Sequence, residues 1–254
     1  MMVTGSGEEG MKKSKGRRPQ YTWIVLYCLV ELYIEAIRSL DKRRGVVGFT
    51  QAAIRDCVRR YENVANPDII KNAIYDAESH GWVARMRAHK HGRDLFIPTK
   101  SGLALVFVIV VPMRMLKLME QPTLQTLVVP LFTSFDKARE VLREIIASFK
   151  FLLDGTIIQL KGYKSILAGK SGESAELLRV SKRLAMLEDI RDAVAGYNKG
   201  VPTATDVIRF YNVIAFLFKV ILLMNSAGPI ALCYEVEKII NGADPLTWNE
   251  DVRG

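Results

Sequence analysis

The sequence predicts a mainly α-helical protein. Three helices and one β-hairpin come first, within residues 21–112, and an all-helical half, residues 113–254, follows. Two observations carry this. Between Asn66 and Gly102, apolar residues at helical spacing give way to two short β-prone runs around a polar, glycine-bearing connection. Further on, 134–153 and 174–195 place apolar residues alternately four and three apart, the spacing of a helix–helix seam.

Residues 1–20 are polar and cationic (Lys12, Lys13, Lys15, Arg17, Arg18) and read as a flexible arm. Arg17-Arg18 precedes an apolar run, but Glu31 and Glu35 interrupt that run and no small-residue cleavage site follows, so export is not expected. Tyr21–Leu40 reads as a helix apolar on nearly every side, with Glu31, Glu35 and Arg38 as its polar stripe. Such a helix needs partners on most sides. Asp41–Gly48 is a charged turn. Phe49–Arg60 is the second helix, capped by Thr50, with Gln51, Arg55 and Arg59 four apart on one outer face.

Asn66-Pro67 opens the third helix, as cap and first-turn proline. Ile69, Ile70, Ala73, Ile74 and Ala77 share one side, leaving Asp68, Lys71, Asn72, Tyr75, Asp76 and Ser79 facing out. Gly81 is placed to end it in a left-handed conformation. Trp82–Arg87 and Asp94–Pro98 can then pair as strands around Ala88–Arg93.

The run ESHGWVARM followed by DLFIPTKSG resembles the end of the recognition helix and the wing of MarR- and PadR-like transcription regulators. Glu78, Gly81, Trp82, Val83 and Arg85 match the first half of that pattern, and Phe96, Thr99 and Gly102 the second; Pro98 departs from it, standing where an aliphatic residue is usual. The resemblance covers roughly Tyr21 to Pro112. It implies a winged-helix domain that binds double-stranded DNA, as a dimer whose long first helix is buried at the subunit interface.

Charge agrees with that implication. The chain carries +9 overall, and residues 1–112 hold 18 Lys/Arg against 11 Asp/Glu, a net of +7, whereas residues 113–254 hold 18 against 16, a net of +2. A basic front half is the footprint of a nucleic-acid binder. Lys71, Asn72 and Tyr75 suit base edges or phosphates in a major groove. Arg85, Arg87, His89, Lys90, His91 and Arg93 crowd the hairpin and suit a minor groove or backbone. Gln51, Arg55 and Arg59, with the basic arm, can add phosphate contacts. Asp68, Asp76 and Glu78 are a difficulty, since carboxylates on that helix repel a phosphate backbone.

In the second half, Leu103–Val111 is continuously apolar up to Pro112, too short to span a bilayer. Ser134–Leu153 is a helix, continued by Thr156–Leu167 beyond Gly155; Gly169–Gly172 is a loop, and Ser174–Ala195 is the helix that pairs with it. An intrachain bundle is expected over a coiled coil between subunits. Gly169-Lys170-Ser171 is not a phosphate-binding loop, because Lys164 stands where that motif needs its first glycine. Thr203–Asp206 forms a capping box for Val207–Met224. That stretch is apolar, yet Lys219 lies well inside it, at a cost of about 3 kcal/mol for a central cation, so a core or interface helix is expected rather than a membrane span. Ile230–Asn241 is the last helix.

No catalytic constellation emerges: the three histidines (His80, His89, His91) lie in the hairpin module without a nucleophile motif or metal spacing. Three cysteines, Cys28, Cys57 and Cys233, are far apart and odd in number, which indicates packing in a reducing cytoplasm rather than disulfides or zinc. The expectation is therefore a non-enzymatic, cofactor-free, cytoplasmic and nucleoid-associated DNA-binding dimer, with the helical half dimerising or holding a partner or small ligand. The alternatives are a protein-interaction module that docks through the same fold, and a membrane-tethered DNA-binding protein.

Overall fold

A computed structural model of the chain describes residues 19–39, 48–62, 66–87, 94–116, 135–170 and 175–227. The basic arm through Arg18, most of the charged turn, the hairpin tip with His89, Lys90, His91 and Arg93, and the last helix with Cys233 lie outside them. Among the described residues the protein is mainly helical, with one antiparallel hairpin.

Helix α1 is Pro19–Ser39. Ile24 to Val30 are all buried, and α2, α3, β2 and α4 surround them. The near-continuous apolar surface of α1 is thus covered inside the chain, and the expected burial at a subunit interface is not needed to explain it.

Helix α2 is Gln51–Val58, capped by Thr50, whose Oγ1 accepts from Ala53 N–H at 3.3 Å. It is shorter than expected because Phe49 is drawn into a bridge with Phe96, each backbone N–H donating to the other's carbonyl at 2.8 Å.

Helix α3 is Pro67–Ser79 and follows its sequence signals closely. Asn66 Oδ1 accepts from Asp68 N–H at 2.9 Å, and Pro67 begins the helix. At the far end Gly81 has φ +75°, and Trp82 N–H returns to Ala77 C=O at 3.0 Å. That is a left-handed cap closing two otherwise orphaned carbonyls.

Strands β1 (Val83–Arg87) and β2 (Asp94–Pro98) pair from Val83↔Pro98 to Arg87↔Asp94. Thr99 fastens the hairpin to α3 and to the next helix: its Oγ1 donates to Gly81 C=O at 2.7 Å and accepts from Gly102 N–H at 3.1 Å. Gly102 sits so close to Trp82 that an added Cβ would lie 2.2 Å from its carbonyl oxygen.

Helix α4, Lys100–Leu116, continues through Pro112. Its apolar surface from Val106 to Val111 is buried, and this packing outweighs the lost hydrogen bond. It contacts α1 and β2 on one side and the later helices on the other, so a single buried cluster runs from α1 to the last described helix.

Helix α5, Phe135–Lys170, runs unbroken past Gly155 and includes Gly169 and Lys170 of the expected loop, the rest of which lies outside the described residues. Helix α6, Ala175–Val194, packs on it in the opposite sense, with Tyr163 Oη donating to Glu176 at 2.5 Å and Lys161 paired to Glu188 at 2.8 Å. Its expected seam holds: Val180, Leu184, Leu187 and Ile190 are buried. On α5 the buried set is Phe149, Leu153, Ile157 and Leu160. Helix α7 is Ala204–Ala227, opened by the Thr203/Asp206 capping box. No helix among the described residues is long and apolar enough to cross a membrane.

Polar ties hold the two halves together. Lys100 Nζ lies 3.0 Å from Asp189 and 3.8 Å from Asp206; Ser101 Oγ donates to Asn198 C=O at 2.8 Å; and Tyr33 Oη donates to Pro202 C=O.

Candidate nucleic-acid interface

The surface built by α3 and the base of the hairpin gathers most of the described sequence-predicted site residues. Burial of Ile70, Ala73, Ile74 and Ala77 against α1 fixes the rotation of α3. That rotation leaves Lys71, Asn72 and Tyr75 exposed on the outer side. Lys71 Nζ and the Arg85 guanidinium both approach the Tyr75 ring, at 5.9 and 4.9 Å from its centroid. The tyrosine is therefore held between two cations.

The three carboxylates of this helix do not behave alike. Asp68 is exposed, as expected. Asp76, expected to face out, is turned inward: its side chain is 15% exposed, and Oδ2 accepts from Thr22 Oγ1 of α1 at 2.8 Å. Glu78 is paired to Arg85 at 3.0 Å. Two of the three charges that argued against a phosphate partner are thus internally engaged. The reason is geometric, since residues 76 and 78 flank the buried Ala77 rather than oppose it.

Arg85 is correspondingly occupied. It bridges Glu78 on α3 and Asp94 on β2, the latter at 3.4 Å, and lies 5.9 Å from the Phe96 ring centroid. Donating a hydrogen bond to the Glu78 carboxylate raises the already high pKa of Arg85. In this geometry its guanidinium links α3 to the hairpin and lies against Tyr75. The backbone of Arg87 ends β1 opposite Asp94. Behind this surface Trp82 is stacked by His80, with ring centroids 4.5 Å apart, and by Trp23 at 5.4 Å. His80 thus serves packing.

On α2, Arg55 and Arg59 flank Asp56 at 3.7 and 3.6 Å. The Arg59–Asp56 pair is exposed, of the kind that solvent screens and that opens readily, whereas Arg55 is half-buried. Gln51 is half-buried at the start of the helix.

In the helical half, α5, α6 and α7 enclose an apolar cavity of about 20 Å³, lined by Thr156, Leu160, Met186, Leu187, Val213 and Leu217 among others. That is room for about one water and not for an effector. A second feature of this half is an exposed apolar face on α5. Phe151, Ile158 and Ile166 are 74%, 69% and 57% exposed, and Gly155, Gly162 and Gly169 have no atom within 4 Å of the position of an added Cβ.

Two relationships were not legible in the sequence. One is the Thr22–Asp76 bond, across 54 residues. The other joins Cys28 and Glu31 on α1 to Cys57 on α2, with all three donor atoms within 4.8 Å of one another. Cys28 and Glu31 are a same-face pair by their spacing, but nothing in the sequence points to Cys57 as their neighbour. Comparison of the chain with protein-family models, curated proteins and solved structures finds no match.

Proposed function

We propose that residues 21–112 form a winged-helix module that binds duplex DNA, and that two copies act together in transcriptional regulation without catalysing a reaction. The observation that carries the reading is the surface of α3: Lys71, Asn72 and Tyr75 stand free of the core, while Asp76 is turned to Thr22 and Glu78 is neutralised by Arg85. The element order supports it, with helix, short bridge, helix, helix and hairpin in sequence, and Phe49 bridging to Phe96 where a third strand would begin. So does the +7 carried by residues 1–112. In this reading α3 enters the major groove, Arg87 and the basic hairpin tip (His89, Lys90, His91, Arg93) lie along the flanking groove, and the arm and Arg55/Arg59 add phosphate contacts.

Pairing is assigned to α5. Reversing a second copy about residue 160 sets Phe151 against Gly169 and Ile158 against Gly162, and places Ile166 opposite Asp154, the neighbour of Gly155. Two of the three exposed apolar knobs then meet a glycine, and the third lies beside one. Such a face is self-complementary under two-fold symmetry, as an isologous dimer requires. It also gives a reason for three glycines within a helix, each costing about 1 kcal/mol relative to alanine.

Fluorescence anisotropy of the full chain against a mixed-sequence duplex at two salt concentrations tests DNA binding. The reading requires affinity to fall with salt, by about 0.9 log unit per phosphate neutralised for each tenfold change. No binding at low salt would transfer the module to protein docking.

A further inference from the structure

The first two helices bring together three metal-binding side chains that lie apart in sequence. Cys28 and Glu31 are three residues apart on α1, and Cys57 faces them from α2. Cys57 Sγ lies 3.5 Å from Glu31 Oε2, and all three donor atoms fall within 4.8 Å of one another. A tetrahedral zinc with Zn–S of about 2.3 Å and Zn–O of about 2.1 Å needs an S···O edge of about 3.6 Å and an S···S edge of about 3.8 Å. The observed sulfur–oxygen edge already has that length, and the remaining edges need to shorten by at most about 1 Å.

The surroundings also fit. Tyr61 Oη donates to Glu31 Oε2 at 2.6 Å, the kind of outer hydrogen bond that orients a ligating carboxylate. Tyr61 is itself fixed by edge-on packing against Tyr27, with centroids 5.5 Å apart. Both cysteines are buried, whereas Glu31 is half-buried and marks the side from which a cation enters. Burial and the neighbouring Cys57 push the Cys28 thiol up, so without an ion Cys28 packs as a small hydrophobe.

We propose that Cys28, Glu31 and Cys57 form a binding site for zinc or a similar thiophilic divalent cation, with a fourth position left to water, that clamps α1 to α2. The site does not depend on the DNA-binding reading. Its soft S₂O donor set selects zinc, cobalt or cadmium over magnesium or calcium. The metal binds the thiolates, so binding releases thiol protons to solvent.

The test is a cobalt(II) titration of the full-length protein, reduced and stripped with a chelator. The proposal requires thiolate-to-cobalt charge-transfer absorption and intense tetrahedral visible bands that saturate at one cobalt per chain and are bleached by zinc. Cys57→Ser and Cys28→Ser must abolish the charge-transfer band, Glu31→Gln must weaken binding by at least tenfold, and Cys233→Ser must leave the spectrum unchanged. Circular dichroism of each variant separates loss of the site from loss of the fold, and Glu31→Gln keeps both thiols should the serine variants unfold. Absence of the band in reduced, folded protein overturns the proposal. So does a band that survives Cys57→Ser, or a pair found only as a Cys28–Cys57 disulfide whose reduced form takes up no cobalt.

Discussion

Thr22 on α1 donates its hydroxyl to the Asp76 carboxylate on α3 at 2.8 Å. This bond ties the helix that reads as the scaffold to the helix that reads as the recognition element, and it takes a negative charge off the outer face of α3. Hydrogen bonds to charged groups contribute about 1.5–3 kcal/mol. Thr22→Val is expected to lower stability by that amount in chemical denaturation, while Thr22→Ser retains most of it. Equal midpoints for Thr22→Val and the parent would show that the bond does not hold α3.

Lys71 and Asn72 are exposed, so truncating them changes folding stability by no more than about 0.5 kcal/mol. In the DNA-binding reading proposed above, their effects on DNA differ in kind. Lys71→Ala weakens binding to all duplexes and reduces the salt slope by about one. Asn72→Ala costs about 1–3 kcal/mol on the preferred site and narrows the gap between specific and non-specific DNA. A salt slope unchanged in Lys71→Ala removes Lys71 from the phosphate contacts.

Arg85 separates positioning from contact. Its pairs with Glu78 and Asp94 are partly exposed, and pairs of this kind are worth under about 1 kcal/mol of stability. In the DNA-binding reading, Arg85→Ala uncovers the carboxylates of Glu78 and Asp94, so DNA affinity falls further than in Lys71→Ala at equal salt. Adding Glu78→Gln to Arg85→Ala restores part of the loss if repulsion is the cause. A double variant no better than the single would assign Arg85 a direct contact instead.

Gly102 permits the close approach of α4 to Trp82. A methyl group there meets the Trp82 carbonyl at 2.2 Å, which forces backbone movement. Gly102→Ala is expected to destabilise the fold by about 1–3 kcal/mol, measured by thermal or chemical unfolding.

The α5 face gives the opposite result on substitution. Ile158 is 69% exposed, so Ile158→Glu leaves the fold intact. If two copies pair through this face, analytical ultracentrifugation finds the parent as a dimer and Ile158→Glu as a monomer. A monomeric parent at micromolar concentration removes the pairing.

The sequence by itself determined the elements that rest on local chemistry. Asn66-Pro67 and Gly81 set the ends of α3, Thr50 and the Thr203/Asp206 box capped their helices, the hairpin strands fell where β-prone runs flank a polar connection, and the α6 seam followed its spacing. These signals act over a few residues, so they are written in order along the chain. Only the tertiary structure decided the rest. Pro112 stays inside a helix because buried neighbours on α4 outweigh a local breaker. Asp76 faces inward because Thr22, 54 residues away, offers a donor. Cys28 and Cys57, read as unrelated in sequence, meet because α1 and α2 pack side by side. Each outcome depends on which surfaces the fold brings together, and no local pattern encodes that.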